Sequence, residues 1–174
     1  LIVIEGLLSV DNALAIAVLL SLEKGGPSIR PPQPEGLWKK VGGQDYKYEE
    51  SQGETKYRRG IYVVLKRGSP YPSFMNFDAS QRMSCVVKRS RSNTPLQALT
   101  LLNDPVHVEA ARAFAGRIAS LPGQTPALRI TGAFRLALAR APSGQETAVL
   151  LRLYDQQLEA GKTPAEAWYA VASA

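Results

Sequence analysis

The chain has 174 residues, 45% hydrophobic and 21% charged, which suits one well-filled globular domain. A single cysteine, Cys85, excludes an internal disulfide, a cysteine-based metal cage and the C-x-x-C-H attachment of c-type haem. The formal charge of +6 is uneven: residues 1–23 carry three acids and no base, residues 24–91 carry 14 bases against 6 acids, and residues 92–174 carry 7 against 6.

Leu1 to Leu22 is an apolar stretch long enough to cross a bilayer as a helix, for which about 20 apolar residues suffice. It has neither the positive start nor the small-residue cleavage site of a signal peptide. Asp11 sits at its centre, where a charge costs about 2.5–3.5 kcal/mol on insertion scales, so insertion of this helix alone is marginal. Glu5, Asp11 and Asn12 offer oxygen ligands that suit a hard cation, although one helix cannot surround an ion. The chain opens on Leu1 rather than Met and is read as a piece of a longer product.

Residues 24–92 read as an irregular, basic front half. Pro31, Pro32 and Pro34 remove backbone donors and favour an extended arm, with Trp38 as the anchor that ties it down. Ile61–Leu65 and Met83–Lys88 are β-branched runs bounded by turn residues and are predicted as two short strands. Cys85 lies inside the second and is expected to be a buried small hydrophobe. Arg58, Arg59, Lys66, Arg67, Arg82, Lys88, Arg89 and Arg91 bracket both runs, interleaved with Tyr57, Tyr62, Tyr71, Phe74 and Phe77.

Residues 93–174 predict a small helical bundle. Thr94-Pro95-Leu96-Gln97 is a capping box with proline at the first helical position, opening a helix through Leu102. Asp104-Pro105 caps a second helix with Val106, Ala110, Phe114 and Ile118 on one face, and Leu121-Pro122-Gly123 stops it. A third helix spans about Pro126–Ala139, with Leu128, Phe134, Leu136 and Leu138 among its apolar residues. Ser143–Glu146 caps a fourth that carries Val149, Leu150, Leu153, Tyr154 and Leu158, and Thr163–Glu166 caps a last one. The fold class is therefore mainly α: a bundle, a loop-rich basic part with at most two short strands, and an apolar N-terminal helix.

Several strings carry a family resemblance: GGPSIRPPQPEGLW (Gly25–Trp38), YRRGIY (Tyr57–Tyr62), FDAS (Phe77–Ser80), NTPLQALTLLNDP (Asn93–Pro105) and FRLALARAPSGQE (Phe134–Glu146). Together, over about residues 25–174, they resemble the planctomycete-type domain of unknown function 1553. That domain is the C-terminal part of cytochrome c domain-containing envelope proteins. The resemblance implies other domains of a parent protein as partners and a location in the cell envelope or periplasm, but it implies no defined activity. Separately, LIVIEGLLSVDNALAIAVLL (Leu1–Leu20) resembles the first membrane helix of the TerC family of metal-ion exporters. It implies a membrane segment in which Glu5 and Asp11 handle a metal ion. On these two resemblances the chain divides into a TerC-like segment, 1–23, and a single domain, 24–174, joined near Glu23–Gly26.

Three functions follow as expectations. The first is a non-enzymatic binding or scaffold module that uses Arg58, Arg59, Arg67, Arg89 and Arg91. Its ligand would be an acidic glycan, the partner that an envelope location suggests. Arginines with aromatic rings also suit nucleic acid, but no nucleic-acid motif is present and Glu49, Glu50, Glu54 and Asp78 dilute the patch. The second is a fragment of a glycan hydrolase in which Asp78 works with Glu109 or His107, the chain's one histidine. The third is a remnant of a TerC-type exporter led by Glu5 and Asp11. The arginines also have a plainer use, pairing with Asp78, Asp104 or carbonyls to hold irregular backbone. No phosphate loop or dinucleotide fingerprint occurs, and no cofactor is expected.

Overall fold

The computed structural model of the chain describes residues 15, 17–38, 47–80, 85, 87, 88, 92–123 and 125–174. They form two compact units, one of Leu20–His107 and one of Val108–Ala174 with the described residues before Leu20. The architecture is mainly helical. Among the described residues there is no sheet, only two isolated parallel bridges, Ser21 with Arg58 and Ile29 with Val63.

In the first unit, chain direction is set by a few backbone bonds rather than by regular structure. Ser21 N–H donates to the Tyr57 carbonyl at 2.9 Å, Ile29 N–H to that of Tyr62 at 2.8 Å, and Val64 N–H to that of Ile29 at 2.9 Å. The receiving segment is wound into two 3-10 turns, Gly53–Tyr57 and Gly60–Tyr62. The strand expected at Ile61–Leu65 is thus a 3-10 turn followed by one bridge at Val63. β-propensity needs a neighbouring strand to be realised, and here the neighbour pairs at single residues. Of the second expected strand, Cys85, Val87 and Lys88 are described and none is in a strand. Cys85 is exposed rather than buried, since the strand that would turn it inward does not form at the described positions.

Trp38 anchors the arm as expected. Its ring meets that of Tyr48 edge to face with centroids 4.9 Å apart, and the Tyr48 hydroxyl donates to the Pro31 carbonyl.

Two helices complete this unit and a third leaves it: α1 (Pro72–Asn76), α2 (Pro95–Asn103) and α3 (Pro105–Ser120). The Thr94 capping box forms in full: Thr94 Oγ1 accepts from Gln97 N–H, and Gln97 Oε1 accepts from Thr94 N–H. The inward face of α2 is polar, because Gln97 is 2% exposed while Leu96, Leu99 and Leu102 are each more than half exposed.

The second unit is a helical bundle of α3, α4 (Pro126–Leu138), α5 (Gly144–Glu159) and α6 (Pro164–Ser173). α5 packs on both α4 and α6. Its core gathers Ala115 and Ile118 from α3, Ile130, Ala133 and Phe134 from α4, Leu150 and Tyr154 from α5, and Ala167, Trp168 and Val171 from α6. Trp168 is the largest fully buried side chain, its ring 4.5 Å from that of Tyr154. The expected boxes at Ser143/Glu146 and Thr163/Glu166 both form. Arg140 clamps Glu146 with two bonds, and the carboxyl pKa falls to about 2 chiefly through that contact. Leu128 and Val149 prove exposed, since a stripe predicted from periodicity is wider than the face its neighbours cover.

The N-terminal helix expected over Leu1–Leu22 falls on residues 1–14 and 16, outside the described residues. Where it re-enters them, Ala17 and Val18 form a turn and Leu19–Leu22 are not helical. Among the described residues, no helix is long and apolar enough to cross a membrane.

Trp168→Ala is expected to lower the unfolding free energy by about 3–5 kcal/mol, the usual toll for a buried aromatic. Leu128→Ala should change it by about 0.5 kcal/mol or less. Urea titration of both variants checks the placement of the core.

Candidate functional site

The first unit holds two polar clusters, each built on side chains that bind irregular backbone. In one, Arg58 is 5% exposed, and its guanidinium donates to the Pro27 carbonyl at 2.8 Å and to the Gly25 carbonyl. The same guanidinium lies 3.8 Å from the centre of the Tyr62 ring, a cation–π contact in a desolvated setting. Gly25 and Gly26 have φ of 82° and 84°, where side chains are strained. A Cβ on Gly26 would also stand 3.4 Å from the guanidinium. Gly25 N–H donates to the Tyr62 hydroxyl at 2.9 Å, which together with the nearby arginines lowers the phenol's pKa.

The other cluster joins α1 to α2 and to the start of α3. Asp78 Oδ2 accepts from both the N–H and the hydroxyl of Ser92, each at 2.7 Å. Asp78 sits at φ 56°, a left-handed conformation that aspartate tolerates. Gln97 Nε2 donates to the Asn76 carbonyl at 2.8 Å and to Ser92 Oγ at 3.0 Å, and Asn76 Nδ2 donates to Thr100 Oγ1 at 2.9 Å. Asp104 caps α3 by accepting from Val106 N–H at 2.9 Å, and its second oxygen accepts from the Ser73 hydroxyl at 2.9 Å. His107, 5% exposed, lies edge-on to Phe77, and its Nε2 is buried without a partner.

Ser73, Asp104 and His107 are the ingredients of a nucleophilic relay in the wrong order. A relay requires the imidazole to take the serine proton while the carboxylate orients the imidazole. Here the serine donates directly to the carboxylate, and Nε2 faces no donor. Burial pushes the imidazole pKa down, against the opposing pull of Asp104. Tyr71, also buried, has its phenol pushed well up, by burial first and the Asp104 charge second.

Asp78 and His107 belong to the first unit and Glu109 to the second. Arg58 is interior, Arg59 half-buried beside Tyr62, and Arg67 exposed. Arg89, Arg91, Glu5 and Asp11 lie outside the described residues. Among the described residues no cluster of three or more His, Cys, Asp or Glu could hold a metal ion. Sequence reading missed Ser73, Asn76, Ser92 and Thr100 as parts of the network. Gln97, already marked by the capping box, was the available signal.

A family model described as PSD1, protein of unknown function (DUF1553), matches residues 6–154. The chain belongs to the PSD1 family. The match begins inside the TerC-like stretch and runs across Glu23–Gly26, so it does not support a chain of two origins joined there. No curated protein and no solved structure matches the chain.

In this PSD1 chain, burial of His107 has a testable sign. Its pKa in the folded state is lowered from the ordinary 6.5. On acidification the unfolded chain takes up that proton first, so the stability held above the ordinary value is lost as pH falls below it towards the folded value. Urea titrations between about pH 8 and pH 5 should show this loss in the parent and a shallower one in His107→Gln. Equal slopes would contradict it. Gln97→Ala, which strips partners from three groups, should cost about 1–3 kcal/mol in the same assay.

Proposed function

We propose that this PSD1 chain is a non-enzymatic binding or scaffold module of a larger cell-envelope protein, and that its basic front half takes an acidic glycan. The observation that carries this reading is how the polar groups are used. The carboxylates of Asp78 and Asp104, which a hydrolase would need free, hold Ser92, Ser73 and the start of α3. Meanwhile Lys24, Arg30, Arg67 and Lys88 stand exposed. Exposed cations suit a charged, flexible ligand better than a reaction centre, which needs fixed groups at set distances.

The apolar stripe of Leu96, Leu99 and Leu102 supports the scaffold half of the proposal, because a helix that turns leucines outward offers a surface to neighbouring parts of a parent protein.

A panel of acidic and neutral glycans titrated against the full chain tests the reading. Binding confined to the acidic members, and weakened severalfold as salt rises to roughly 0.5 M, is the expected result. Turnover of any member, lost in Asp78→Asn, would favour a hydrolase instead.

A further inference from the structure

Arg58 and Arg59 place two positive charges on consecutive residues, and neither has a carboxylate partner among the described residues. Arg58 is almost wholly buried, with its terminal nitrogens engaged by the carbonyls of Gly25 and Pro27 and its Nε–H buried without an acceptor. Arg59 Nε–H is likewise buried without one. A charged group removed from water is tolerated when a counter-charge or a full set of hydrogen bonds meets it, and here both are incomplete.

The two guanidinium groups surround one ring: their central carbons lie 3.8 Å and 5.9 Å from the centre of Tyr62. The Tyr62 hydroxyl accepts from Gly25 N–H and is also hydrogen-bonded by the Arg59 side chain, which leaves its own O–H as the donor. Arg59 and Tyr62 are half-buried and reach solvent, whereas Arg58 does not. Two neighbouring positive charges, two Nε–H donors without an acceptor among the described residues and a phenolic hydroxyl therefore converge on the same place.

We propose that Arg59 and Tyr62, with Arg58 fixed against the Tyr62 ring, form the recognition site for one anionic oxygen group, a carboxylate or a sulfate carried on a sugar chain. The planar fork of Arg59 matches the paired oxygens of either group, and the Tyr62 hydroxyl supplies a neutral donor. Arg58 acts as a positioning residue. It holds Gly25–Pro27 and the Tyr62 ring in place and adds positive potential without touching the ligand. This assignment rests on the acidic-glycan reading above and gives it an address.

The test is calorimetric titration of the full chain with oligogalacturonate, dextran sulfate and uncharged dextran, for the parent, Arg59→Gln, Tyr62→Phe, Arg67→Gln and Arg152→Gln. At least one polyanion should bind and dextran should not, and which polyanion binds identifies carboxylate or sulfate. Arg59→Gln should weaken binding roughly tenfold or more and Tyr62→Phe a few-fold, with melting temperatures unchanged. Arg152→Gln, exposed on α5 outside the basic front half, should bind as the parent does, and Arg67→Gln should weaken binding less than Arg59→Gln. Where Arg59→Gln fails to fold, Arg59→Lys carries the test, since it keeps the charge and loses the fork; parent-like affinity there overturns the assignment. Parent-like binding in Arg59→Gln with loss in Arg67→Gln would leave the acidic-glycan reading standing and overturn this site. No binding of either polyanion by the parent would remove both.

Discussion

Among its described residues the first unit satisfies its backbone without a sheet and with little helix, and most of its other features answer that constraint. Buried N–H and C=O groups must find partners, and where ladders are missing, side chains supply them. Arg58 takes the carbonyls of Gly25 and Pro27, Gln97 takes that of Asn76, and Asp78 takes the N–H of Ser92. Each of these side chains bridges at least 14 residues of sequence, so each closes a loop as well as satisfying a group. Asp78, which looks catalytic in sequence, accordingly spends its carboxylate on Ser92.

The second unit meets the same requirement in the ordinary helical way, and its polar side chains are free to work at helix ends. Ser143 with Glu146, and Thr163 with Glu166, cap α5 and α6, while the core is left to apolar contacts around Ile118, Ile130 and Trp168. The unit with the greater share of regular structure has no net formal charge, 7 bases against 7 acids, and the irregular unit carries the whole +6, 14 bases against 8 acids. The anion site proposed at Arg59 and Tyr62 lies on this framework pinned by side chains, where the Nε–H groups of Arg58 and Arg59 have no acceptor among the described residues.

How much of this was legible depended on range. Pro95, Pro126 and Pro164 each follow a threonine cap, and all three helices start there; the boxes at Thr94 and Thr163 lie within four residues and are legible directly, whereas the Thr125 cap is shown by the structure. Ile61–Leu65 was misread because a β-branched run becomes a strand when a neighbour lies alongside it, and the arm at Ile29 supplies one bridge. Arg58 and Arg59 look alike in sequence, yet one is interior and the other reaches solvent. Their difference is made by Gly25 and Gly26, about thirty residues away, whose left-handed backbone lets the Arg58 guanidinium in.

The sequence by itself determined the helical class, the capped helix starts, the concentration of positive charge in the middle third and the family. All four rest on local pattern or on ordered motifs, which do not depend on how distant segments meet. Only the tertiary structure decided which charges are structural, that α2 turns its leucines outward, and that Asp104 holds Ser73 while the imidazole of His107 stands aside. Those outcomes are set by desolvation and hydrogen-bond geometry between residues far apart in the chain, and one-dimensional spacing contains neither.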